Sequence, residues 1–124
     1  MINKVFQLLN QDWEFQKVGD DKWHDATVPG CVHQDLFTND LIPDPFFGVN
    51  ESKLQWIMDS DWSYRLFFTP AKEIINKKNK ILSFSGIDTY ADIYLNGEKI
   101  IVTNNMFHPY EKDVSSLLKS GKNE

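Results

Sequence analysis

Asn96-Gly97 is the feature that most constrains this chain, because a two-residue type I′ turn needs positive φ at both central positions and Asn-Gly meets that need at least steric cost. The turn stands between two runs of β-formers, residues 90–95 (YADIYL) and 98–103 (EKIIVT), so an antiparallel hairpin is expected there. Upstream, residues 81–85 read as another short strand turned by Gly86. Downstream, Asp113 is placed to cap a single helical turn over residues 115–119 before Gly121.

The first half is less regular. Residues 12–18 alternate Trp13, Phe15 and Lys17 against Glu14 and Gln16, the period of a half-buried strand, and residues 23–28 form a second extended piece ending at Pro29. Residues 31–40 are the helical candidate, with Val32, Leu36 and Phe37 on one face and Asn39-Asp40 as its stop. Residues 53–57 and 62–69 read as strands, the second closed by Pro70. Residues 2–9 suit a short strand or an irregular packed arm better than a helix. Strands of this length and spacing, joined by turns, argue an all-β sandwich.

Composition narrows the function. A length of 124 residues fits one domain, since domains commonly run to about 100–150 residues. The formal charge of −5 speaks against nucleic acid and against anionic membrane surfaces as partners. The densest basic cluster, residues 72–80, is interrupted by Glu73, Ile74 and Ile75 and reads as a solvated connection. Cys31 is the single cysteine, so no internal disulfide can form. His24, His33 and His108 lack ligand spacing, and Cys31 with His33 makes at most half of a zinc site, so no metal site is expected. The first ten residues contain no long apolar run, so neither a signal peptide nor a membrane span is expected there, and the compartment is left open.

The chemistry concentrates in residues 28–64. Pro29, Pro43 and Pro45 fix the backbone route, Gly30 and Gly48 supply corners, and Phe46, Phe47, Trp56 and Trp62 set flat apolar faces beside Asp44, Asn50, Asp59 and Asp61. That combination suits a sugar, whose ring faces carry C–H bonds and whose edges carry hydroxyls. Glycoside hydrolysis itself needs two carboxyl groups, about 5–5.5 Å apart for retention. Asp44, Glu51, Asp59 and Asp61 qualify by residue type alone, and turn formation, capping and solvation account for them equally well.

In sequence order, DWEF (12–15), VPGCVHQDL (28–36), LIPDPFFGVNE (41–51), LQWI (54–57), DWSYRLFF (61–68), SGIDTYADIYLNGEKI (85–100) and NNMFHPYEKDVSSLL (104–118) together resemble the N-terminal region of the β-mannosidases of glycoside hydrolase family 2. The DTYADIYLNG stretch is shared with that family's β-galactosidases and β-glucuronidases; LIPDPFFGVNE followed by LQW and DW is similar to the mannosidase branch. The resemblance implies a galactose-binding-domain-like jelly-roll β-sandwich over residues 1–124, incomplete at its C-terminal end, and hence prone to self-association through unpaired strand edges.

It also implies a non-catalytic domain of an exo-acting, retaining enzyme that removes terminal non-reducing β-D-mannose. The two catalytic glutamates would lie in a later (β/α)8 barrel, the partner of this domain, and no residue here would transfer a proton. Residues 44–56 correspond to a loop that can reach the rim of the sugar pocket. Asn50 and Asp44 are then candidates to hydrogen-bond a β-mannoside hydroxyl, and Trp56 or Phe47 to stack on a ring; the competing role for all four is packing. Two alternatives stay open: a free-standing carbohydrate-binding module, and a purely structural interaction domain. Within the family, the matching domain of a β-galactosidase or β-glucuronidase is the nearest competitor.

Overall fold

The computed structural model describes residues 4–42, 54–87, 90–104 and 109–124. The chain divides into two compact units, one formed by Leu9–Leu66 and the other by Phe67–Glu124 together with the N-terminal residues through Leu8.

In the Leu9–Leu66 unit, strands β1 (Glu14–Lys17), β2 (His24–Asp25) and β3 (Trp62–Arg65) form an antiparallel sheet in the order β2-β1-β3. Phe15 pairs with His24 on one side and Tyr64 on the other, while Lys17 pairs with Trp62. The two-residue period therefore sends Phe15, His24, Tyr64 and Trp62 to one face and Glu14, Gln16 and Arg65 to the other, as the alternation predicts. Phe15 is fully buried, its ring 5.7 Å from Tyr64, 5.9 Å from His24 and 6.0 Å from Trp62. Leu36, Ile42, Leu54 and Ile57 complete this core.

Helix α1 (Val32–Thr38) falls inside the expected span, and its end is built locally. Asp40 takes φ +59°, Leu41 N–H donates to the Leu36 carbonyl and Asp40 N–H to the Phe37 carbonyl, which is the paired bonding of a Schellman stop. The buried face differs from the expected one. The inward stripe is Val32, Leu36 and, between them, Asp35, only 1% exposed, whereas Phe37 is exposed. Positions i, i+3 and i+4 share a helix face, and Phe37 falls off it.

Residues 54–57 do not form the strand expected over 53–57. Helix α2 (Gln55–Met58) is a single turn, preceded by Leu54. Leu54 and Ile57 are both buried; three residues apart, they share a helix face but would point to opposite sides of a strand.

In the second unit, β4 (Ile81–Phe84) pairs with β7 (Tyr110–Asp113), and β5 (Ala91–Leu95) pairs with β6 (Glu98–Thr103), all antiparallel. The hairpin stands where expected: Asn96 has φ +51° and Gly97 +86°. The register shifts between Ile93, opposite Ile101, and Tyr94, opposite Lys99, leaving Ile100 as an extra residue of a bulge. β7 has no strand signal of its own, since Tyr-Glu-Lys-Asp gives neither β-former density nor apolar alternation; its pairing with β4 decides it. Helix α3 (Lys72–Ile75) is one turn inside the stretch read as a solvated connection, and it buries no side chain. Asp113 accepts hydrogen bonds from the Ser115 N–H and hydroxyl, and Leu117 and Leu118 N–H both donate to the Val114 carbonyl, so a turn over residues 115–117 follows Asp113 inside the expected span. The N-terminal arm, irregular over its described residues, is held by Gln7, which donates to the Thr69 carbonyl and accepts from the Ala71 N–H.

Candidate functional site

Of the four residues singled out for sugar contact, Trp56 is described; Asp44, Phe47 and Asn50 lie outside the described residues. Trp56 sits on α2, which the burial of Leu54 and Ile57 presses into the core, so its own side chain is directed outward and is 42% exposed. Its ring lies 6.0 Å from that of Trp62 at an interplanar angle of 45°, and the Lys17 ammonium stands 5.8 Å from its centroid. Trp62 is anchored by its indole N–H, which donates to the Ile57 carbonyl at 3.1 Å. Ser60 Oγ donates to the Trp56 carbonyl at 2.7 Å and holds the end of the turn. The result is an exposed indole backed by a fixed one and flanked by a cation. An aromatic face takes up the C–H side of a sugar ring, and an ammonium donates to hydroxyls at its edge.

Asp59 and Asp61 are exposed, and Asp44 and Glu51 lie outside the described residues. Asp35, the buried carboxylate, is fully engaged: Oδ1 accepts the Thr27 N–H at 2.8 Å and Oδ2 accepts the Tyr64 hydroxyl at 2.8 Å. Burial, and then the hydrogen bond to Asp35, push the Tyr64 phenol well above its usual range. Asn39 adds two donations from Nδ2, to the Asp25 and Asp35 carbonyls. This network ties α1 to β3 and to the turn after β2. Gly30 belongs to the same turn, and a Cβ there would overlap the Thr27 carbonyl oxygen, so glycine is needed for close backbone approach. Asp35 could have been found from the sequence, since with Val32, Leu36 and Asn39 it occupies the i, i+3, i+4, i+7 stripe of α1.

On the polar face of the sheet, Arg65 lies 3.9 Å over the Trp23 ring and donates from Nε to Glu14 Oε1 at 3.0 Å. No group of three or more potential metal ligands occurs among the described residues. Nor is any described helix long and apolar enough to cross a membrane.

Residues 13–124 match the family model described as the glycosyl hydrolase 2 galactose-binding domain-like domain. The whole chain aligns at 39% identity with β-mannosidase B of Thermothelomyces thermophilus, of which it covers 15%. A crystal structure of β-D-mannosidase from Dictyoglomus thermophilum superposes on 93% of the chain with a TM-score of 0.89 and 51% identity, over 14% of that enzyme. The exo-chitosanase of Amycolatopsis orientalis shares the fold, with a TM-score of 0.75 at 21% identity over 90% of the chain and 15% of that protein. The all-β, galactose-binding-like class read from the sequence is that of these proteins, and the chain spans about a seventh of the length of the mannosidases it matches. Its polypeptide thus belongs, over nearly all of its length, to the galactose-binding domain-like family of glycosyl hydrolase 2.

Proposed function

We propose that this chain is the N-terminal, non-catalytic domain of an exo-acting β-mannosidase that releases terminal non-reducing β-D-mannose with retention of configuration. The observation that carries the reading is its similarity over 93% of its length, at 51% identity, to a β-D-mannosidase, against 19% identity to a β-D-glucuronidase of the same organism. In this reading residues 1–124 are one domain of a larger enzyme, its partner is a (β/α)8 catalytic barrel, and β-mannoside glycans are the substrates. Trp56, together with Asn50, Asp44 and Phe47, serves the rim of the sugar pocket. Apart from that barrel, the chain is expected to self-associate, and a mass that stays monomeric by light scattering over a wide concentration range would remove that part.

The test is hydrolysis of aryl β-mannoside, β-galactoside and β-glucuronide by the parent polypeptide beside this chain alone. Mannoside cleavage by the parent and none by the chain is expected. Cleavage by the chain alone would return attention to Asp44, Glu51, Asp59 and Asp61; preference for another glycoside would remove the mannosidase assignment. In the parent, Trp56→Ala and Asn50→Ala are expected to raise KM more than they lower kcat, and an unchanged KM in both would dismiss the rim role.

A further inference from the structure

The Asn96 side chain is held by three hydrogen bonds that no requirement of a two-residue turn explains. Its Nδ2 donates to the Leu117 carbonyl at 3.0 Å and to Asn123 Oδ1 at 2.9 Å, and its Oδ1 accepts the Glu124 N–H at 3.0 Å. The Asn96 N–H donates to the Glu124 carbonyl at 2.9 Å. Asn123 is itself locked: 1% exposed, it donates from Nδ2 to the Lys119 and Gly121 carbonyls and accepts the Lys119 N–H on Oδ1, while its backbone exchanges both bonds with Phe68. Asn96 is therefore gripped by a preorganised clamp built from residues 117–124.

The residue so gripped carries the sequence's single Asn-Gly step. The chemistry open to that step is intramolecular. The Gly97 backbone nitrogen, losing its proton, forms a bond to Asn96 Cγ; the Cγ–Nδ2 bond breaks and Nδ2 leaves as ammonia with that proton. Water then opens the cyclic imide at either carbonyl, giving aspartate or isoaspartate. Glycine is the following residue that obstructs this least, and space around Gly97 is open, with nothing within 4 Å of where a Cβ would stand. The obstacle is the clamp, which holds Cγ by both of its polar atoms and keeps it from turning onto the Gly97 nitrogen.

We infer that Asn96 is a latent deamidation site whose reaction is gated by release of the 117–124 clamp, and that once reacted it holds the clamp open. The second half follows from donor inventory. A carboxylate has no N–H, so the product would set its oxygens against the Leu117 carbonyl and Asn123 Oδ1, acceptor against acceptor where two donations stood. Isoaspartate adds a further backbone carbon inside a turn whose register depends on two central residues.

The experiment follows the mass of the peptide containing residue 96, with isoaspartyl detection, in the full 124-residue chain at mildly alkaline pH and 37 °C. Its arms are native buffer, strongly unfolding urea, and Asn123→Ala in native buffer with folding checked by circular dichroism. Reaction in urea is expected to outpace reaction in the native chain by at least about fivefold, the factor that corresponds to one net hydrogen bond holding the closed state. Asn123→Ala should recover most of that difference while still folded. Should that variant fail to fold, the wild-type rate in sub-denaturing urea decides: a shallow dependence marks local release, and a dependence as steep as global unfolding overturns the gating. Equal rates in native and unfolded wild type overturn it also. Asn96→Asp is expected to lose hydrogen-exchange protection at Glu124, and retained protection would overturn the claim that the product holds the clamp open.

Discussion

Tyr64→Phe isolates one of the hydrogen bonds that the buried Asp35 accepts in the Leu9–Leu66 unit. The substitution keeps the ring that stacks at 5.7 Å on Phe15 and deletes one oxygen, so Asp35 Oδ2 loses its 2.8 Å donor while Oδ1 keeps the Thr27 N–H. Asp35 is 1% exposed, so its carboxyl group relies on donors from the protein. Hydrogen bonds to charged groups contribute about 1.5–3 kcal/mol, and because Tyr64 is itself 36% exposed we expect the lower part, about 1.5–2 kcal/mol. Urea unfolding followed by tryptophan fluorescence should show a lower midpoint at unchanged m, the sign that stability and not compactness has changed. A double-mutant cycle with Asp35→Asn should return a coupling of at least about 1 kcal/mol. A loss below about 0.5 kcal/mol, or no coupling, would refute the view that the pair is desolvated and mutually dependent. The same contact fixes an alkaline signature. The folded pKa of Tyr64 lies above its unfolded value, so its stabilisation is complete below about pH 10 and is lost as pH rises beyond it. Tyr64→Phe should flatten that alkaline arm.

Gly30→Ala forces a methyl group into the Thr27 carbonyl and should cost about 1–3 kcal/mol as overpacking against backbone, read as a lower urea midpoint; an unchanged midpoint would show that the turn yields freely. Phe15→Ala empties the centre of the Leu9–Leu66 core and should cost about 3–5 kcal/mol by the same assay, with a loss under about 1 kcal/mol contradicting its central place. The hydrogen bonds from Ser115, its side chain first and its backbone second, hold the Asp113 carboxyl below its usual range, so the stabilisation is present above the unfolded carboxylate pKa and is lost as pH falls through the folded value. Asp113→Ala should lower Tm at neutral pH and remove that part of the acid slope; a Tm difference equal at neutral and strongly acid pH would argue against the linkage.

What the sequence by itself determined is whatever depends on neighbours in the chain. The hairpin at Asn96-Gly97, the stop of α1 at Asn39-Asp40, the alternation of β1 and the turn capped by Asp113 all rest on φ preferences, side-chain period or a bond spanning two residues, and each stands where the residues place it. Trp56 was legible as a sugar-stacking candidate by type, while its exposure and its backing by Trp62 depend on α2. That turn was misread as a strand because Leu54 and Ile57 satisfy an apolar run in either conformation, and only the shared core of Phe15 and Leu36 selects the one that buries both. Strand β7 follows from pairing with β4 across some thirty residues of chain, at a register no local signal encodes. Asp35 is the sharpest case. A charged residue in an apolar stripe is tolerated when its donors arrive from elsewhere, and Thr27 and Tyr64, eight and twenty-nine residues away, become its neighbours only when the chain has folded.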